Sequence, residues 1–274
     1  MDQVRSKSHF RYKIGKGLLV ITVGLLFYAW LLNTPAGLLG KADAVGYAVC
    51  HRIDARSFHI GDRPIPLCVR CSGMYLGAVL GLTYMLIIGP RRAGIPPKRV
   101  LAVLGLLAIA FAVDGLNSYL HLPFFTNAPS LYKPSNTLRL ITGTGMGIAI
   151  AALLYPAFNQ TIWVDRKAKP ALTGLGSLVI LLILALLLDV IILFQNPVIM
   201  YLLSFVSVFG VLLLLTLVYA MLWLIVFKSD GRIQRWNQML VPLIAGFGFG
   251  LLQIAMLDFL RFILTGTWDG FHLG

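Results

Sequence analysis

All three cysteines of this chain lie in one connection: Cys50, followed at once by His51, and then the run Cys68-Val69-Arg70-Cys71 eighteen residues on. Thiolate and imidazole bind soft metals, and thiols exchange electrons, so this is where the sequence concentrates its chemistry. Cys68 and Cys71, three apart, can both face one ion at about 2.3 Å, with Cys50 as a third sulfur. His51 is the favoured fourth ligand and His59 its rival. Because neighbours such as Cys50 and His51 rarely bind one ion together, a three-cysteine site with an open fourth position is the other form. Zinc is the expected metal, since three cysteines and one histidine are an accepted zinc set.

Two other chemistries use the same residues. A Cys-x-x-Cys in the first turn of a helix describes a redox dithiol, because the helix amino terminus and Arg70 both favour a thiolate, and a membrane quinone is the cofactor that reading expects. An electron relay of this type usually has a second cysteine pair, whereas only Cys50 remains here. The inert alternative is one disulfide and one free thiol. Metal binding is the leading expectation.

Arginines gather around the same connection: Arg52, Arg56, Arg63 and Arg70, joined by Arg139. Guanidinium suits two-pronged binding of phosphate or carboxylate. Arg52, Arg56, Arg70, Asn136 and Arg139 are therefore the expected anion-binding set, with a lipid phosphate as a suitable ligand, whereas Arg63 falls in a turn and is expected to pair with Asp54 or Asp62. Tyr75, Asp114 and Arg139 are the catalytic candidates should the site perform a reaction. Whether it does is left open by the sequence.

The elements that position these residues are membrane helices. Of 274 residues, 58% are apolar and 12% charged, with a mean hydropathy of +0.85, far from the composition of a water-soluble domain. Seven apolar runs, 18–32, 71–88, 100–120, 138–155, 172–194, 200–227 and 240–264, are long enough or nearly so to cross a bilayer. The expected fold is all-α, a polytopic bundle of seven spans forming a single domain over 1–274. No clear small-x-small cleavage site follows the first run, so it is taken as a retained span preceded by a tail, 1–17, and not as a signal peptide.

Basic residues flank the runs unevenly. Arg5, Lys7, Arg11, Lys13 and Lys16, then Arg91, Arg92, Lys98 and Arg99, then Arg166, Lys167 and Lys169, then Lys228, Arg232 and Arg235 all fall on one side of seven spans. Lys41, Arg52, Arg56, Arg63, Arg70 and Lys133 fall on the other. The bias, fifteen against six, predicts a cytoplasmic amino terminus in a cell membrane and an outward-facing 33–70 connection. Basic loops beside anionic lipid account for most of the net charge of +13, so membrane lipids and other membrane proteins are the expected partners and nucleic acid is excluded.

Polar residues inside spans cost several kcal/mol unless paired or wet. Asp114, Asn117 and His121 close the third span, Asn136 and Arg139 open the fourth, Asp189 lies late in the fifth, and Asp258 and Arg261 lie late in the seventh. All fall in the outer half. Asp258 and Arg261, one turn apart, are expected either to pair with each other or to belong to a site. Were the acids to carry cations or protons, the chain would be a transporter or a structural membrane subunit, although no inverted repeat relates its halves. Gly73, Gly77 and Gly81 in the second span and Gly143 and Gly147 in the fourth make flat faces that predict close crossing, which would bring Cys71 near Arg139. Within the connection, 37–49 is expected as a short surface helix and 55–67 as a hairpin around Gly61-Asp62.

Cys50-His51-Arg52, Arg56-Ser57-Phe58, Pro66-Leu67-Cys68-Val69-Arg70-Cys71-Ser72-Gly73-Met74-Tyr75, Asp114-Gly115, Ser135-Asn136, Arg139 and Thr142-Gly143 resemble the signature of uncharacterised prokaryotic membrane proteins grouped as domain of unknown function 2085. The resemblance covers about 45–147, making 45–155 a family-like core and 156–274 additional spans. It implies a small helical membrane domain with this same outer cluster, and no established reaction. There is no Walker loop, dinucleotide fingerprint, Gly-x-Ser-x-Gly or His-Glu-x-x-His, and no glutamate anywhere in the chain.

Overall fold

The computed structural model describes residues 2–121 and 131–270, with side chains from residue 15 onward. The tail side chains Arg5, Lys7, Arg11 and Lys13 of the charge count lie outside the described set. Seven helices are long and apolar enough to cross a membrane. They are α1 (Asp2–Leu32), α3 (Val69–Ile88), α4 (Lys98–Leu120), α5 (Asn136–Ile162), α6 (Leu175–Leu193), α7 (Pro197–Val226) and α8 (Leu240–Thr265). The chain is thus an all-helical multi-pass membrane bundle. Its outer shell is what lipid requires, with Leu106, Ile109, Val113 and Leu116 of α4 and Val179, Ile183 and Leu187 of α6 all exposed.

Local chemistry explains the helix ends. The Ser135 hydroxyl accepts from the Leu138 amide at 3.2 Å to start α5, and the Asn196 side chain accepts from Val198 at 3.0 Å while Pro197 sits at the first helical position of α7. Gly266, in the left-handed region at φ 68°, closes α8. The expected surface helix is α2 (Gly37–Val49), which buries Ala42, Ala44, Val45 and Tyr47 against α7 and α8. The expected hairpin is β1 (His59–Ile60) paired antiparallel with β2 (Arg63–Pro64), turning at Gly61 with φ 61°.

The closest crossing in the bundle is α3 on α5, and its cause is the glycine pattern. A Cβ at Gly73 would stand 2.6 Å from the Leu140 carbonyl oxygen, and one at Gly81 would stand 2.8 Å from the Ala151 Cβ. From the other helix, Gly143 abuts the Arg70 carbonyl and Gly147 the Met74 carbonyl. Side chains at these positions would force the backbones apart. Below this crossing Leu82, Met85, Val100, Leu104, Ile148, Leu178 and Leu181 of α3 to α6 pack as one apolar cluster.

The connections divide between two ends of the bundle. At one end, β3 (Arg92–Gly94) pairs in parallel with β4 (Lys167–Pro170), Trp163 bridges to Ile233, and the Arg91 guanidinium lies 4.0 Å from the Trp163 ring centre. Three of the four basic groups behind the charge bias are here. At the other end lie the Cys/His connection, the end of α4, the approach to α5 and the residues after α8, tied together by Arg56 to the Ser118 carbonyl (2.8 Å), Asn117 to the Tyr132 carbonyl (2.8 Å) and Arg52 to the Trp268 carbonyl (3.2 Å).

The buried acids of the spans find separate partners. Asp189 accepts from the Thr144 hydroxyl at 2.7 Å, and Asp258 accepts from the Trp30 indole at 3.1 Å. Arg261 reaches to the end of α2. Its Nη1 donates to the Tyr47 and Cys50 carbonyls at 2.6 Å each, clamping α8 to the end of α2.

Candidate metal centre

The sulfurs of Cys50, Cys68 and Cys71 lie within 4.8 Å of one another, and all three are free thiols. Three local features bring them together. Cys50 is the residue at which α2 stops, its amide bonded to the Gly46 carbonyl at 2.8 Å. Gly46 lets the chain pass close to the Pro66 carbonyl, where any Cβ would collide, so the segment before α3 returns to the end of α2. Cys68 is the N-cap of α3 and Cys71 lies in its first turn, and the Cys68 amide donates to the Cys50 sulfur at 3.3 Å. Cys50 and Cys68 are buried among Trp30, Val45, Leu67, Val208 and Ile254.

Crowding splits the thiols electrically. The Cys68 and Cys71 thiols donate toward Cys50, and this, opposed by burial, holds Cys50 well below the ordinary thiol range. Cys68 is pushed up to about 12, first because its hydrogen bond to Cys50 favours the protonated form and also because it is buried. Negative charge is thus favoured at Cys50 and the proton at Cys68. That is the state from which a divalent cation displaces protons to reach three thiolates.

His51 lies outside the sulfur group: its Nδ1 accepts from the Ile53 amide at 3.2 Å. Burial pulls its pKa down, as do the charges of Arg56, Arg70 and Arg139, against the raising effect of Cys50. His51 and Arg52 make the turn that leaves Cys50, with Arg52 in the left-handed region at φ 51°. His59 is at the far side of the hairpin, bonded to Asp54 at 3.0 Å.

The expected anion-binding arginines separate into two groups. Arg52 pairs with Asp43 at 2.9 Å, which also takes Arg63, so those two charges are neutralised beside α2. Arg63 thus pairs with Asp43, and not with Asp54 or Asp62. Arg56, Arg70 and Arg139 make up the other: Arg70 is flanked by Cys68 and Cys71 at the start of α3, and Arg56 shares Ser118 with it. Arg70 binds the Asp114 carboxylate through Nε (3.0 Å) and Nη2 (2.5 Å) and reaches the Ser118 hydroxyl at 2.8 Å. Arg139 donates through Nη1 to Asn136 at 2.8 Å, and its Nε is buried without a hydrogen-bond partner among the described residues. Arg56 is lowered from the usual guanidinium range by burial and by Arg70. Tyr75 packs beside Cys71, one turn further into α3.

Asp114 is the hub of this group. Its exposure is 1%, and besides Arg70 it accepts from the Tyr132 hydroxyl at 2.9 Å and from Thr142 at 3.5 Å. Asn117 holds the incoming chain by accepting from the Leu131 amide and donating to the Tyr132 carbonyl, both at 2.8 Å. Ser118, Tyr132 and Thr142 were not among the expected site residues. Ser118 carried a signal, lying one turn from Asp114 on the same helix; nothing in the sequence marked Tyr132. Asp114→Asn leaves a buried guanidinium without its counter-charge and is expected to destabilise the protein by about 3–5 kcal/mol, read as a lower thermal midpoint in detergent. An unchanged midpoint would deny Asp114 this role.

Comparison with known proteins matches residues 50–153 to the family described as Predicted membrane protein (DUF2085), a stretch that includes the three cysteines, Arg56, Arg70, Asp114 and Arg139. An uncharacterized protein of Methanocaldococcus jannaschii is 29% identical over 163 residues, 55% of this chain and 97% of the relative. An uncharacterized protein of Methanothermobacter thermautotrophicus is 33% identical over 105 residues, 38% of this chain and 83% of the relative. No solved structure matches the chain. With the three cysteines of its matched segment gathered with Arg56 and Arg70 at one end of a helical bundle, this chain belongs to the membrane protein family of domain of unknown function 2085.

Proposed function

We propose that the chain is a membrane metal protein in which Cys50, Cys68 and Cys71 hold a soft divalent cation, zinc by the nature of the donors, at the outer face of the cell membrane. The observation that carries this is the grouping of three sulfurs from two segments within 4.8 Å. A tetrahedral zinc site with bonds of about 2.3 Å sets its sulfurs roughly 3.8 Å apart, so closing the cluster on an ion requires only a small contraction. The fourth position belongs to His51 after a turn of its ring, or to a ligand. The arginines beside the sulfurs hold an anionic ligand there. The outer placement rests on the charge bias of the connections.

One observation favours thiol exchange with a membrane quinone instead. A groove of about 430 Å³ runs from Cys50 and His51 along Leu257, Leu260 and Leu264 of α8, a shape suited to a polar head on an apolar tail. Maleimide labelling of the purified protein separates the two. A metal centre keeps the three thiols unreactive until a chelator is added, with or without reductant. Labelling that rises on reduction and ignores the chelator would replace the metal by a redox dithiol.

A further inference from the structure

Charge balance in the arginine group is incomplete. Arg56 and Arg70 both donate to Ser118 at 2.8 Å, and Arg139 lies one turn before Thr142, whose hydroxyl reaches the Asp114 carboxylate that Arg70 binds, so three positive charges share one small region. The carboxylate bonded within that group is Asp114, already engaged by Arg70. The chain has no glutamate, and of the residues whose side chains are not described, 122–130 and 271–274 contain no aspartate and 1–14 contain Asp2 alone. Asp43 is committed to Arg52 and Arg63, Asp165 to Arg91 and Asp54 to His59, Asp189 and Asp258 bond Thr144 and Trp30, and Asp62, Asp230 and Asp269 are exposed. Two positive charges remain uncompensated if all three thiols are protonated, and one remains if Cys50 is the thiolate or if three thiolates and a divalent cation add their net single negative charge.

Arg139 is where the deficit is sharpest. It is 8% exposed, its Nη1 is bonded to a neutral amide, and its Nε has no partner among the described residues. A buried guanidinium held this way is costly unless an anion completes it. The donors come from three directions: Arg56 from the turn before the hairpin, Arg70 from the start of α3, and Arg139 from the start of α5. A planar carboxylate is satisfied by one guanidinium fork, whereas a tetrahedral oxyanion presents oxygens to several.

We infer that Arg139, with Arg56 and Arg70, forms a receptor for a phosphate-type oxyanion, seated beside the three sulfurs. This rests on the proposed function for its neighbour, the metal, and deepens the anionic ligand into a chemical class. The oxyanion enters with its charge toward the Nε of Arg139, and Asp114 keeps Arg70 in place. A phospholipid headgroup and free inorganic phosphate offer the same chemistry.

The test is binding of radiolabelled inorganic phosphate and of short-chain phosphatidic acid to the full-length protein in maltoside detergent, with metal content measured on the same samples. One or both probes bind the unmutated protein, and Arg139→Gln weakens that binding at least tenfold, whereas Arg139→Lys, which keeps the charge, retains part of it. Phosphatidic acid alone identifies a lipid ligand, and phosphate bound as well as the lipid identifies a free one. Should Arg139→Gln fail to fold, Arg56→Gln, at a half-buried position, takes its place with the same expected loss. Failure of both probes with the metal retained overturns the receptor and leaves the metal centre standing. Binding by metal-free protein does the reverse.

Discussion

Purified protein is expected to carry about one soft divalent cation per chain, and Cys68→Ser to carry none. Serine is an informative replacement because residue 68 caps α3, a position where a hydroxyl serves as well as any side chain, so the helix start is preserved while the thiolate is removed. A serine hydroxyl stays protonated at neutral pH and cannot stand in for a thiolate ligand. Cys68 is also only 3% exposed, so the ion loses a ligand that water cannot readily replace. Metal–thiolate centres of this kind bind with apparent free energies of roughly 10–16 kcal/mol in small domains, so even a fraction of that is visible as a lower thermal midpoint. Elemental analysis reads the outcome directly. If unmutated protein purified without chelator holds no stoichiometric metal, the centre does not exist.

The second large effect is expected far from any donor atom. Gly147→Val places a branched side chain against the Met74 carbonyl, with the Ala78 amide nitrogen only 2.6 Å from the new Cβ. Overpacking in cores costs about 1–3 kcal/mol when side chains can yield, and here the obstruction is the backbone of α3, which yields least. Separation of α3 from α5 would carry Arg139 away from Cys68 and Cys71, so metal retention and phosphate binding should fall together with the amount of monodisperse protein. Gly105→Val is the control. It too replaces a glycine in a spanning helix, but nothing stands within 4 Å of its Cβ, and it should behave as the unmutated protein. Size-exclusion profiles and metal content of the two variants check this, and equal behaviour would remove the glycine face as the device that assembles the site.

Several features were legible without coordinates because each depends on a short stretch of chain. The seven spans, the helix 37–49 and the hairpin at Gly61-Asp62 are outcomes of composition and turn chemistry over a few to twenty residues. The match of α2 to its expected limits is a case in point: small residues from Gly37 onward bury one face, and Cys50 ends the helix in extended geometry. The glycine repeats foretold which helices cross, since close approach in lipid has few other routes.

Pairing was less legible. Arg52 and Arg56 are four residues apart in one connection, yet one is neutralised by Asp43 and the other joins Arg70 at Ser118. Nothing local separates them; the left-handed turn at Arg52 sends their side chains different ways. Asp258 and Arg261 have ideal spacing for a mutual bond, and each has a hydrogen-bond partner from a distant element, Trp30 and the end of α2. His51 was favoured as a ligand by adjacency to Cys50, and the same adjacency directs its Nδ1 to the Ile53 amide instead.

From the sequence alone came the solvent of this protein, its helices and the one connection that holds its thiols, because partition into lipid and the start of a helix are decided by neighbouring residues. The tertiary structure decided which sulfurs and guanidinium groups share a space. That depends on the rotation and depth of α3, α4 and α5 against each other, set by contacts between residues as far apart as Arg70 and Asp114, which local spacing does not encode.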